Sequence, residues 1–179
     1  MRRLSVLKKS FSVFRRDRKG ATAIEFTLLA LPFFALVFAI VETSISYTTE
    51  QYMSNVADRL SRDIRTGRIT ASTHNKSQFR TLLCDRLRAL ASPGCPGMSF
   101  DVRSYGSFLA VPKGVTYSEP GVVDTSGWDY KPGGSGSINS IRIVYEWPVY
   151  TDIMKKYMAG LKNGKNLLYA SNTWQNEPF

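Results

Sequence analysis

The stretch Arg15–Phe38, RRDRKGATAIEFTLLALPFFALVF, decides the layout of this chain, because a cluster of positive charge runs directly into an apolar segment. Between Ala21 and Val41 the only charged residue is Glu25. A helix of this length rises about 31 Å, which matches the roughly 30 Å hydrocarbon core of a bilayer. The stretch therefore predicts one transmembrane helix over residues 21–41.

The positive charge of the chain is concentrated at its beginning. The net charge is +10 over 179 residues, and residues 1–20 contain eight Lys or Arg against a single acid, Asp17. Lys and Arg beside an apolar span stay in the cytoplasm, so we expect residues 1–20 inside and residues 42–179 outside. A nucleic-acid-binding protein carries its basic residues on a folded face instead, which argues against a nucleic-acid partner. A removed secretory signal also fits poorly, because the apolar run is long and ends in a weak cleavage site.

Glu25 needs an explanation, since a carboxylate at bilayer depth is costly. One explanation is that Glu25 lies in the headgroup zone, where an acid in the first turn is favoured by the helix dipole. Another requires a cut after Gly20, which gives Ala21 a new α-amino group four residues from Glu25, on the same helix face. The carboxylate could also pair with the amino group of a neighbouring copy. Either pairing would offset the cost of desolvation.

The sequence around this point resembles a known processing signal. Lys19-Gly20 followed by Ala21-Thr22-Ala23-Ile24-Glu25-Phe26 resembles the prepilin-peptidase site of type IV-like pilins and pseudopilins, with the acid at the fifth mature position and Phe26 at the sixth. More narrowly, RRDRKGATAIEFTLLALPFF resembles the start of TadE-like proteins, the pseudopilins of the tight-adherence (Flp) pilus system. The last four residues, NEPF (Asn176–Phe179), resemble the end of many members of that family.

The resemblance implies a function and a set of partners. A prepilin peptidase of the bacterial inner membrane would cut after Gly20, and Glu25 would serve processing or the register between subunits. The product would be a minor pilin or pseudopilin in assembly of the tight-adherence pilus and in cell adhesion, with a periplasmic C-terminal domain. Its partners would be other pilins, pseudopilins and pilus assembly proteins. The resemblance leaves open whether the protein enters the fibre.

Two alternatives of function stay open beside this one. The chain could be a pseudopilin of a secretion or DNA-uptake machine, or a plain membrane-anchored periplasmic binding protein. A plain anchor needs neither Gly20 nor Glu25.

Pro32 has two interpretations as well. It removes the hydrogen bond to the carbonyl of Leu28 and kinks or loosens the helix, or it is an ordinary tolerated membrane proline.

Beyond the span, apolar residues keep the spacing of three and four that is typical of an amphipathic helix. We predict one helix of some forty-five residues that stops at Gly67; the alternative is two helices with a bend near Glu42. A second helix is predicted over 77–90 with Ser77 as its cap, its arginines forming a solvated face.

Alternating patterns predict strands over 98–103, 141–149 and 167–174, with Pro148 placing the end of the second strand at a sheet edge. A short helix over 151–161 is expected between the last two strands, with inward-facing Ile153, Met154, Tyr157 and Met158. The fold class is therefore α+β and pilin-like: a long transmembrane helix that continues into a domain with a small antiparallel sheet.

The candidates for chemistry are few. Cys84 and Cys95 are predicted to form a disulfide if the domain is exported, the alternative being two reduced thiols. The only histidine, His74, lies in a polar loop, so neither a catalytic triad nor a histidine-rich metal site can be assembled. The glycine-rich KPGGSGS (131–137) lacks the Lys-Ser/Thr ending of a phosphate-binding loop. We therefore expect no enzyme activity, no cofactor and no metal.

Overall fold

The computed structural model describes residues 19–179, except the side chains of Lys19 and Ala21. The predicted leader, residues 1–20, thus lies outside the described residues apart from its last two. The described residues divide into two units, residues 19–41 and residues 42–179. We call the second unit the head.

Helix α1 runs from Lys19 to Arg65 without interruption, through both Pro32 and Glu42. The structure therefore has one helix of 47 residues and not two helices that break near Glu42. Its second half follows the predicted spacing and buries an apolar stripe in the head, formed by Met53, Val56, Ala57, Leu60 and Ile64. The helix ends just before Gly67, whose φ of 74° is the left-handed conformation that glycine adopts without steric cost.

Helix α2 spans Lys76–Leu87, and its start differs from the prediction. The cap is Asn75 and not Ser77: the Asn75 side chain accepts from the backbone N–H of Gln78, and the Gln78 side chain accepts from the backbone N–H of Asn75, both at 2.9 Å. This reciprocal capping box satisfies two backbone donors at once, which explains why it defines the helix start. Phe79, Leu83 and Leu87 are buried.

The main sheet has four strands in the order β4-β1-β5-β6, and its long strands are antiparallel. The strands are β1 Met98–Tyr105, β4 Tyr130–Lys131, β5 Ile138–Trp147 and β6 Asn166–Gln175. The two-residue β4 pairs parallel to β1. Between them lie a 3-10 turn, Phe108–Ala110, and a hairpin of β2, Tyr117–Glu119, and β3, Val122–Val123.

Strand β5 lies inside the sheet, between β1 and β6, so Pro148 does not mark an edge. The strand ends at Trp147, and Pro148 stays out of the hydrogen-bond ladder. One face of the sheet packs against α1 and α2 through residues such as Phe100, Val102, Ile141 and Ile143. On the opposite face of the sheet, Arg142 donates a hydrogen bond to the carbonyl of Gly114, which lies in a loop. The loop therefore covers part of this second face.

The last helix, α3, spans Asp152–Met158, shorter than the predicted 151–161. Met154 and Met158 are half-buried as expected. Ile153 and Tyr157 are not inward, because they are 61% and 75% exposed. Each residue of a helix is turned by about 100° from the one before it, so Ile153 and Tyr157 lie beside the two methionines but on the exposed side.

Candidate functional site

The first turns of α1 carry the predicted processing residues. Gly20 and Glu25 lie on helical backbone, and the side chains of Glu25 and Phe26 are exposed, Phe26 by 70%. The backbone of Ala21 is helical as well. Gly20, Ala21, Glu25 and Phe26 thus share one short helical segment. The cut after Gly20 and the pairing of Glu25 stay predictions.

The following turns present an apolar surface. Ten large apolar side chains between residues 24 and 41 are each at least half exposed: Ile24, Phe26, Leu28, Leu29, Leu31, Phe33, Phe34, Leu36, Phe38 and Ile40. Within the described part of the chain, α1 is the one helix long and apolar enough to cross a membrane. It is compatible with a single membrane anchor.

Pro32 lies inside α1 and does not end it. Proline has no N–H to donate to the carbonyl four residues earlier, but the helix continues on both sides. The kink predicted at Pro32 stays a prediction.

Glu42, the first residue of the head, is only 8% exposed although it is charged. Its carboxylate accepts from the backbone N–H of Tyr150 at 2.5 Å, from the backbone N–H of Thr151 at 3.3 Å, and from the Thr151 hydroxyl. These donors satisfy the buried charge and attach the start of α3 to α1. The sequence contains no signal for this contact, because its partners lie more than a hundred positions apart.

The C-terminal residues NEPF (176–179) pack against the C-terminal end of α1. Buried Asn176 accepts from the Trp174 indole at 2.8 Å and donates to the carbonyls of Gly133 and Gly134. Its contacts hold the glycine-rich loop against the chain end. The next residue, Glu177, pairs with Arg65 at 3.1 Å, and its N–H donates to the Arg65 carbonyl.

Phe179 contacts Gly67 so closely that a Cβ on Gly67 would lie 2.7 Å from the phenyl ring. The last residues of the chain thus pack against the end of α1. This arrangement gives a structural reason for the NEPF ending.

A buried ion pair lies on the sheet face opposite α1 and α2. Asp101 on β1 and Arg142 on β5 are paired in register, and Arg142 Nη2 lies 2.6 Å from Asp101 Oδ2. Asp101 also accepts from the Asp129 backbone N–H at 3.0 Å and pairs with Arg103 at 2.7 Å. The side-chain hydrogen bond to Asp101 is the main reason that the pKa of Arg103 is raised. The cluster ties β1 and β5 to the loop residues Gly114 and Asp129.

Cys84 and Cys95 are joined by a disulfide, with their Cα atoms 5.8 Å apart. The bond links α2 to the turn before β1. Arg80 strengthens the same link by donating to the carbonyls of Cys95 and Met98. Arg80 is therefore not part of a solvated face, because its guanidinium satisfies two carbonyls of the following turn.

A surface groove of about 740 Å³ lies between α1 and α2. Its charged lining is mixed: Arg59, Arg62, Arg86, Arg88, Asp63 and Asp85. Arg86 is already paired with Asp63 at 2.7 Å, and Arg62 with Asp58 at 3.3 Å.

In residues 19–179 no three His, Cys, Asp or Glu side chains gather in a group that could hold a metal ion. The ring of His74 contacts the hydroxyl of its neighbour Thr73.

Comparison with known proteins gives one match. The family model described as TadE-like protein matches residues 20–62, which include Gly20, Glu25, Pro32 and most of α1. No curated protein and no solved structure matched the chain. The match begins at the residue that precedes the predicted cut and covers none of the sheet. Over its long helix the chain is therefore similar to TadE-like proteins, which is consistent with a TadE-like, pilin-like protein of the tight-adherence pilus system.

Proposed function

We propose that this chain is a minor pilin or pseudopilin that a prepilin peptidase cuts after Gly20 and that acts in assembly of the tight-adherence pilus. The observation that carries the proposal is the TadE-like match over residues 20–62. The position of Glu25 near the start of a long helix with an exposed apolar surface supports it. Such proteins are structural or accessory parts of a pilus, so the proposed role is non-enzymatic.

The proposed topology has residues 1–20 in the cytoplasm, residues 21–41 in the inner membrane and the head in the periplasm. The concentration of Lys and Arg before the apolar segment supports this orientation. The disulfide between Cys84 and Cys95 supports it as well, because disulfides persist in oxidising compartments such as the periplasm.

In this proposal Glu25 serves processing or the register between subunits, and the cut supplies a partner for its charge. Removal of residues 1–20 leaves a positive α-amino group on Ala21, and the Glu25 carboxylate pairs with it or with that of a neighbouring subunit. An ion pair in the membrane offsets the desolvation cost of each charge. Subunits that lack the pair would then register poorly against each other.

The test is the mass and N-terminal sequence of the protein isolated from its native membrane. We expect the wild-type chain to start at Ala21 and Gly20→Ala to stay uncut. Thr27→Ala, a polar change one residue beyond Phe26, is the matched control and should be processed normally. A chain that keeps residues 1–20, with no dependence on Gly20, would overturn the proposal and leave a plain anchored domain.

Glu25→Ala separates the two roles of the carboxylate. An uncut Glu25→Ala chain assigns Glu25 to processing, whereas a cut chain that yields no pili assigns it to subunit register. A strain that lacks the gene for this chain separates the two candidate functions, pilus assembly for adherence and a secretion or DNA-uptake machine. The measurement is the number of surface pili in that strain. Normal pili in that strain would reject the adherence role.

A further inference from the structure

The segment Tyr150–Met158, which contains α3, exposes apolar side chains that a water-facing helix would normally bury. Tyr150, Ile153 and Tyr157 are 74%, 61% and 75% exposed. Met154 and Met158, by contrast, are half-buried. The outward side of the segment therefore carries apolar and aromatic side chains beside the charged, exposed Asp152, Lys155 and Lys156.

The start of this segment is attached to Glu42, the residue that directly follows the predicted span. The Glu42 carboxylate binds the N–H groups of Tyr150 and Thr151 and the Thr151 hydroxyl. Glu42 directly follows Val41 in the chain. Tyr150 and Thr151, which donate to the Glu42 carboxylate, therefore lie within one side chain's length of residue 42. A membrane that ends near Val41 would thus have its surface close to Tyr150.

The chemistry of the segment fits a membrane surface better than open water. Tyrosine is enriched at membrane–water interfaces, where the ring enters the apolar region and the hydroxyl stays hydrated. Lys155 and Lys156 can lay their apolar stems along that boundary and direct their ammonium groups to phosphate. Lys155 is already paired with exposed Asp152 at 2.8 Å, so Lys156 is the cation more available to a headgroup.

We propose that the segment 150–158 lies in the headgroup region of the membrane in which the chain is anchored, with Tyr150, Ile153 and Tyr157 toward the acyl chains and Lys156 at a lipid phosphate. The proposal rests on the membrane anchoring proposed above. It adds a second, interfacial contact beyond the transmembrane helix, made by the head itself.

The test uses the full chain reconstituted in vesicles of phosphatidylethanolamine and phosphatidylglycerol, with a nitroxide on a single introduced cysteine. Cys84 and Cys95 are joined and do not take the label. The sites are Tyr157→Cys, Leu109→Cys as the matched control at 91% exposure, and Phe33→Cys within the span. Collision rates with oxygen and with a water-soluble nickel complex report the depth of each label.

We expect the label at 157 to meet the nickel complex several-fold less often than the label at 109, and the label at 33 to meet it least. Equal exposure at 157 and 109, with 33 still in lipid, would overturn the inference but leave the anchor intact. Water exposure at 33 would overturn the anchor itself. Spin–spin broadening at 157 that disappears on dilution with unlabelled protein would show that a second copy covers the segment, and would also overturn the inference.

A charge variant tests the headgroup contact. Lys156→Glu should raise the nickel accessibility of the label at 157, because a carboxylate is repelled by phosphatidylglycerol. Lys113→Glu, an exposed lysine elsewhere in the head, is the control and should leave it unchanged. An equal response of the two variants would overturn the assignment of a lipid phosphate to Lys156.

Discussion

The carboxylate of Glu42 accepts a hydrogen bond from the backbone N–H of Tyr150 at 2.5 Å, although the two residues are 108 positions apart. Buried donors that lose their acceptor are left without a hydrogen bond, which costs free energy of folding. Glu42→Ala removes the acceptor of three donors and should destabilise the head by about 1–3 kcal/mol.

The measurement is urea unfolding of the full chain in detergent, followed by tryptophan fluorescence, since all three tryptophans lie in the head. Glu50→Ala, which removes a carboxylate two turns further along α1, is the control and should change stability little. Equal stability of Glu42→Ala and wild type would show that the contact to Tyr150 carries no free energy.

The ion pair of Asp101 and Arg142 predicts an asymmetry between its two partners. Asp101→Ala leaves the 3% exposed Arg142 without its carboxylate and should cost roughly 3–5 kcal/mol. Arg142→Met should cost less, because Asp101 keeps Arg103 and the N–H of Asp129. Chemical unfolding of both variants and of the double variant measures the coupling. The reverse order of the two single variants would contradict this account.

The disulfide of Cys84 and Cys95 closes a loop with a sequence separation of 11. Cross-linking a loop of that size stabilises by about 3 kcal/mol in the chain-entropy model. Cys84→Ala/Cys95→Ala should therefore unfold at lower urea, and reductant should lower the wild-type midpoint but leave the variant unchanged. A wild type indifferent to reductant would speak against the bond in solution.

Asn176 and Glu177, neighbours in the NEPF ending, should contribute differently to the free energy of unfolding. Asn176→Ala removes a buried side chain with three hydrogen bonds and should cost about 1–3 kcal/mol. Glu177→Ala removes an exposed ion pair and should cost about 0–1 kcal/mol. Thermal unfolding of the two variants side by side checks the order, and similar losses would show that NEPF acts as one unit.

Asp129 predicts an acid dependence of stability. The Lys131 ammonium, the backbone N–H of Tyr130 and the Lys76 ammonium lower the pKa of Asp129 well below its ordinary value of 3.8. A lowered pKa stabilises the folded state above the unfolded-state pKa, and this contribution is lost as the pH falls through the folded-state value. Asp129→Asn should therefore weaken the loss of stability below about pH 4. Parallel acid titrations of the variant and wild type followed by fluorescence test this, and identical profiles would rule Asp129 out as a contributor.

Local sequence patterns predict the features that depend on residues within a few turns of one another. The length of the apolar segment, the lysines and arginines before it and the spacing of apolar residues after it predict α1 and its end near Gly67. Alternation predicts the main strands because side chains in a strand point to opposite faces. These signals are local, so the chain itself contains them.

Contacts between polar groups that are distant in the sequence depend on the tertiary structure. Glu42 contacts the start of α3, Asp101 pairs with Arg142, and Glu177 of NEPF pairs with Arg65 at the end of α1. The central position of β5 and the outward side of α3 depend in the same way on what packs next to them. A buried charge must find its partner in space, and no local pattern in the sequence specifies which residue that is.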